Sequence, residues 1–122
     1  MSLRGLAYVS GAYDLALGVS MLFLAPTMAH LFGAPPPMPL INAQLNGVFA
    51  SSLALGYFWA AGDPEARRGY FWAAGVYAKA LGAALFVWDH FTQGSPAAFL
   101  TFAAVDGALA LATLWLLLAR SR

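Results

Sequence analysis

The chain has 122 residues, of which 61% are apolar and 9% charged; soluble domains carry roughly a quarter charged residues, and a chain this short has too much surface to account for the shortfall by a buried core. A net charge of +1 leaves no electrostatic footprint for nucleic acid. The absence of cysteine excludes disulfides, thiol catalysis and thiolate metal sites together.

Apolar runs predict an all-α, integral membrane four-helix bundle filling residues 1–122 as one domain. The helices are expected over about residues 6–25, 40–61, 70–88 and 97–119. Each is close to the roughly 20 residues that cross a hydrocarbon core of about 30 Å at 1.5 Å per residue. In the first, Pro26 marks the expected end, and Ser10, Asp14 and Gly18 recur at a spacing of four and share a face. Arg4 before an apolar run resembles the start of a signal peptide, but Asp14 interrupts the run and no small-x-small cleavage site follows. It reads as a retained first helix. The connection that follows holds Pro35, Pro36, Pro37 and Pro39, which forbid regular helix there. That connection is expected to run from Thr27 to about Pro39, and His30 within it is expected at the interface, with a short return to helix.

The second helix begins polar, with Asn42, Gln44 and Asn46, and ends aromatic, with Tyr57, Phe58 and Trp59. Amides in hydrocarbon need partners, so Asn42 and Asn46 are expected to face inward, while the aromatics form an interfacial belt. Residues 62–69 form a charged turn with balanced signs. The third helix starts with Tyr70, Phe71 and Trp72, ends near Trp88, and carries Lys79 near its midpoint. An ammonium at that depth requires a partner or a route to the surface. Asp14 and Asp106 sit at comparable depths in the first and fourth helices, and either is a candidate partner. Asp89 and His90 are expected in a connection, adjacent to each other and not spaced as metal ligands; no metal site is expected. Pro96 suits the first turn of the fourth helix. Arg4, Arg67, Arg68, Arg120 and Arg122 fall on one side of an up-and-down topology, which puts both termini in the cytoplasm.

Residues 11–18 and 75–82 match at Gly, Tyr, Ala, Leu and Gly, so the fold reads as two repeated helical hairpins. The Gly-x-Tyr-Asp-x-x-x-Gly pattern of helix one, the stretch from Asn42 to Gly47, Lys79 and Asp106 together resemble the small four-helix membrane proteins of the DoxX-like kind. The resemblance implies a four-helix integral protein of a bacterial cytoplasmic membrane, and it transfers no catalytic residue.

The residues themselves point to a polar centre of Asp14, Asn42, Asn46, Lys79 and Asp106, with Tyr13, Tyr77, Phe86, Phe99 and Phe102 lining a pocket. One carboxylate is expected to pair with Lys79 while the other, with Asn46, meets a ligand head. Such a site fits a lipid-like, quinone-like or other amphipathic molecule. Two other functions use the same residues: an accessory or structural subunit of a larger membrane complex, and a membrane isomerase using buried carboxyl groups. Membrane lipids and either a second copy or a larger complex are the partners expected, nucleic acid is not, and no cofactor is specified.

Overall fold

The computed structural model describes residues 1–120; the Arg120 side chain, Ser121 and Arg122 lie outside the described residues, and with them the share of the arginine asymmetry assigned to Arg120 and Arg122. All regular structure among the described residues is helical, with no strand. Helix α1 covers Leu3–Phe23, α2 Ala25–Leu31 and α3 Leu40–Gly62. Helix α4 runs unbroken over Arg68–Gln93. Within it, one α-helical turn, Arg68–Tyr70, leads into a π-helical stretch, Phe71–Ala78, and then α-helix resumes over Lys79–Gln93. A 3₁₀ turn, Ala97–Phe99, leads into α5, Leu100–Arg120. Three helical runs are long and apolar enough to cross a membrane: Leu3–Phe23, Arg68–Gln93 and Ala97–Ala119. Helix α3, expected as a fourth, has the length at 23 residues but not the apolarity; Asn42, Gln44 and Asn46 dilute its hydropathy.

Several boundaries differ from expectation for identifiable reasons. Helix α1 stops at Phe23, where Leu24 leaves helical geometry at φ −129°, ψ 21°. Pro26 does not end a helix but sits in the first turn of α2, a position whose N–H has no intrahelical partner in any case. Helix α4 continues past Trp88 through Asp89 and His90, and is capped by Gly94 at φ +72°, the left-handed conformation that glycine reaches without a Cβ penalty. The chain enters α3 through a cis Met38–Pro39 peptide.

Packing resolves into two pairs. Helix α1 lies most extensively on α3, and α4 on α5. The α1–α3 crossing is close because it is made by glycines. A Cβ on Gly18 would come 2.6 Å from the Ser51 amide nitrogen, and one on Gly47 would come 2.7 Å from the Gly18 carbonyl oxygen. The two pairs converge at the end that holds the N-terminus and the 62–68 turn. There Leu3, Ala7, Tyr57, Phe71, Ala74 and Leu117, one or more from each long helix, form the apolar core.

Arginines brace the same end. Arg4 Nε donates to the Ala61 carbonyl at 2.9 Å, and Arg68 Nη2 to the Leu117 carbonyl at 2.9 Å. Arg67 donates to the Trp59 carbonyl and lies 4.5 Å from the centroid of the Trp59 ring. Each guanidinium thus satisfies a carbonyl in the last turn or turns of α3 or α5, where helices leave acceptors unpaired and favour cations. Tyr57 and Phe71, expected in an aromatic belt, are instead buried, with their rings 6.5 Å apart in edge contact.

Candidate functional site

Two polar features lie farther along the helices. The first is an ion pair between the two helical pairs. Lys79 Nζ donates to Asp14 Oδ1 at 2.9 Å, and each residue is 6% exposed. The π-helical stretch ends at Ala78, so the Lys79 ammonium is presented directly after the widened turns. The rings of Tyr13 and Tyr57 flank it, each with its centroid 5.5 Å from Nζ. Ring faces carry negative potential, so they complement the ammonium where no second carboxylate bonds it. Ser10 sits one turn before Asp14 on the same face and is fully buried. The hydroxyls of Ser10, Tyr13 and Tyr57, and Asp14 Oδ2, are buried and make no hydrogen bond among the described residues.

The second feature is a cavity of about 370 Å³ at the opposite end from the apolar core. Helix α2 and the proline-rich connection, through Met28, Phe32, Pro35 and Pro37, close over it. Phe86 from α4, with Phe99 and Phe102 at the start of α5, makes an aromatic wall. Phe86 and Phe102 have centroids 5.6 Å apart, and Phe32 from the end of α2 meets Phe102 at 5.1 Å. The remaining lining is Leu, Met and Ala, except at the inner end, where Tyr13, Asn46 and Asp106 contribute polar groups. Asp106 makes no hydrogen bond among the described residues, and its carboxylate packs against the α4 backbone, 3.5 Å from where a Cβ on Gly82 would lie. Gly82 is three residues beyond Lys79, so this carboxylate lies about one turn from the ammonium along α4.

The ten candidate residues therefore divide. Lys79 takes Asp14, not Asp106, as its partner. Asp106, Asn46, Tyr13, Phe86, Phe99 and Phe102 meet at the cavity. Asn42 and Tyr77 do not. Asn42 and Asn46 are both exposed, and of the two only Asn46, with buried Ala43, borders the cavity. Asn42 lies about 100° around the helix from Ala43, so the shared spacing of four with Asn46 does not carry it inward. Tyr77 is 67% exposed. It precedes buried Lys79 by two residues, about half a turn, and so points the other way. Its apparent counterpart Tyr13 is adjacent to Asp14, which explains why the repeated Gly-x-Tyr does not place both rings alike.

Tyr57, Ser10 and Thr113 are buried polar residues near these features or along α5. The sequence does mark Tyr57, but as part of a belt, because its neighbours are Phe58 and Trp59. No family model, no curated protein and no solved structure matches the chain.

Proposed function

We propose that this chain is an integral membrane four-helix bundle of the DoxX-like kind, which holds a small amphipathic molecule in the cavity beneath α2. In this reading α3 is the fourth crossing, and the protein sits in a bacterial cytoplasmic membrane with both termini cytoplasmic. The membrane setting is supported by three long apolar helices and by an outer surface carrying Phe49, Leu55, Leu85, Trp88, Leu111 and Trp115 in exposed positions. An aqueous surface rarely carries so many large apolar side chains in exposed positions. The orientation is supported by Arg4, Arg67 and Arg68, which gather at one end, as the excess of positive charge on cytoplasmic faces requires.

The observation that carries the ligand reading is the cavity itself: about 370 Å³, walled by phenylalanine and methionine, with polar groups at one end. Binding sites for small molecules have this size and this combination of apolar wall and few fixed polar groups. The Lys79–Asp14 pair lies outside the wall and ties α1 to α4, so its role is to hold the polar centre together, not to touch the ligand. Acid–base chemistry by two carboxyl groups is favoured less, since Asp14 is committed to the ion pair and does not line the cavity.

The test is extraction in mild detergent followed by mass spectrometry of co-purifying small molecules. Wild type is expected to carry a defined amphipath, and Phe102→Trp, which thickens the aromatic wall and narrows the cavity, is expected to carry less of it while the protein remains folded. Recovery of no specific small molecule, together with stable assembly onto a larger membrane complex in both forms, would replace this reading with that of an accessory subunit.

A further inference from the structure

We infer that the cavity takes its ligand head first, with a hydrogen-bond-donating and non-anionic head group lodged at Asp106 in the middle of the helices and the apolar part lying under α2. The inference rests on the pocket reading above and specifies what that pocket selects.

The orientation follows from where the wall is polar. Asp106 is seven residues beyond Phe99 on α5, about 10 Å deeper along the axis. Tyr13 is eight residues before Met21 on α1, about 12 Å deeper. Asn46 lies one turn inside Ala43 on α3. All three polar groups of the wall are therefore at the inner end, and Met28, Phe32, Phe99, Pro35 and Pro37 form the outer end. A lipid resting in its leaflet has the opposite arrangement, head at the surface and chain at the middle. The occupant thus leaves its head fully desolvated, and every polar atom it carries there must be met by the wall. A volume of about 370 Å³ suits a short chain or a one- or two-ring molecule, and not a two-chain lipid.

The head-group class follows from charge. Lys79 spends its contact with a carboxylate on Asp14. Asp106 has no hydrogen bond among the described residues and faces the cavity. Tyr13 adds a buried hydroxyl with no partner. The formal charges of Lys79, Asp14 and Asp106 leave one net negative charge at the inner end. A second carboxylate brought beside Asp106 in a medium of low dielectric is repelled. An amine can instead donate to Asp106 and to the Asn46 amide oxygen together, and a hydroxyl can donate its one proton to Asp106 while accepting from the Asn46 amide N–H.

Three ten-carbon probes, each bearing a photoreactive diazirine at the tail end and an alcohol, an amine or a carboxylate at the head, test this at pH 8 in lipid nanodiscs. Cross-links are mapped by mass spectrometry as a function of probe concentration. The alcohol and amine are expected to label Met28 or Phe32 saturably, with the carboxylate at least tenfold weaker, and Asp106→Asn is expected to narrow that gap. Tail labelling at Tyr13 or Leu17 would overturn the head-first orientation. Equal labelling of the wall by all three probes would overturn the head-group selection while leaving the pocket in place. No saturable labelling of the wall by any probe would remove the pocket reading itself. The comparison of the three probes on wild type decides between these outcomes even where Asp106→Asn fails to fold.

Discussion

Lys79 and Asp14 are buried on opposite helical pairs, and each is compensated by the other at 2.9 Å. Removing one charge leaves the other desolvated without a counter-ion, which typically destabilises by about 3–5 kcal/mol. Lys79→Met is therefore expected to lower unfolding free energy in detergent by that amount. The double variant Lys79→Met/Asp14→Asn is expected to recover a substantial part of the loss, since it removes both unpaired charges. Equal stability of wild type and Lys79→Met would dismiss the pair as a structural element. Tyr57 makes a different prediction. Its ring is 1% exposed and lies in edge contact with Tyr70 at 5.2 Å, while its hydroxyl has no hydrogen-bond partner among the described residues. Tyr57→Phe keeps the ring and deletes the unpartnered hydroxyl, so stability is expected to stay within about 1 kcal/mol or rise. Tyr57→Ala opens a cavity and is expected to cost about 3–5 kcal/mol. Thermal unfolding of the two variants side by side separates packing from hydrogen bonding; a large loss in Tyr57→Phe would mean that the hydroxyl is used.

The π-helical stretch Phe71–Ala78 sets how α4 meets its neighbours at both ends. Phe71 enters the apolar core on one side of the stretch, and Lys79 meets Asp14 on the other. The wider turns absorb extra chain between these two fixed contacts. Deleting Ala73, which is exposed within the stretch, removes some of that extra chain and lets the turns close toward ordinary α-helix, so Phe71 and Lys79 are expected to keep their contacts. Inserting one alanine beside Ala73 instead adds chain, about 100° of α-helix, that the stretch has not absorbed. The insertion is expected to destabilise more than the deletion in the same unfolding assay, and the reverse order would show that the wider turns do not set the register. The α1–α3 crossing is equally specific. Gly18→Ala places a methyl 2.6 Å from the Ser51 amide nitrogen. Backbone cannot move aside as a side-chain tip can, so the helices must part, at about 1–3 kcal/mol. Gly69→Ala, with open space around the site, is the control expected to change little.

The two helical pairs close tightly at the arginine end and stand open around the cavity at the other. This asymmetry separates stability from binding. Substitutions at Leu3, Phe71 or Leu117 act on the shared core, while those at Phe99 or Phe102 act on the wall. It also makes the proposed orientation testable, because the chain has no native cysteine. Ser2→Cys lies at the arginine end, and Gln93→Cys is exposed at the far end of α4. In intact cells an impermeant thiol reagent is expected to modify Gln93→Cys from outside and Ser2→Cys only after the membrane is opened. Outside labelling of Ser2→Cys would reverse the proposed topology.

Composition and run length depend on no tertiary contact, so the residues alone make the chain helical and too apolar for an ordinary aqueous surface. They also single out Asp14, Lys79 and Asp106, since charges inside long apolar runs stand out without any knowledge of their neighbours. Which carboxylate pairs with Lys79 is a tertiary matter, because it depends on how α1 crosses toward α4 and not on residue type. So is the placing of Asn46 at the cavity and Asn42 away from it, because the inward direction of α3 is set by what packs against it. Packing also turns Tyr77 outward and Tyr57 inward, against a repeat and an aromatic cluster that treat them otherwise. The physical reason is common to all three. Helical periodicity gives the angle between two side chains of one helix, but the origin of that angle is set by the neighbouring helices. A π-helical stretch shifts it again with no marker in the residues that form it.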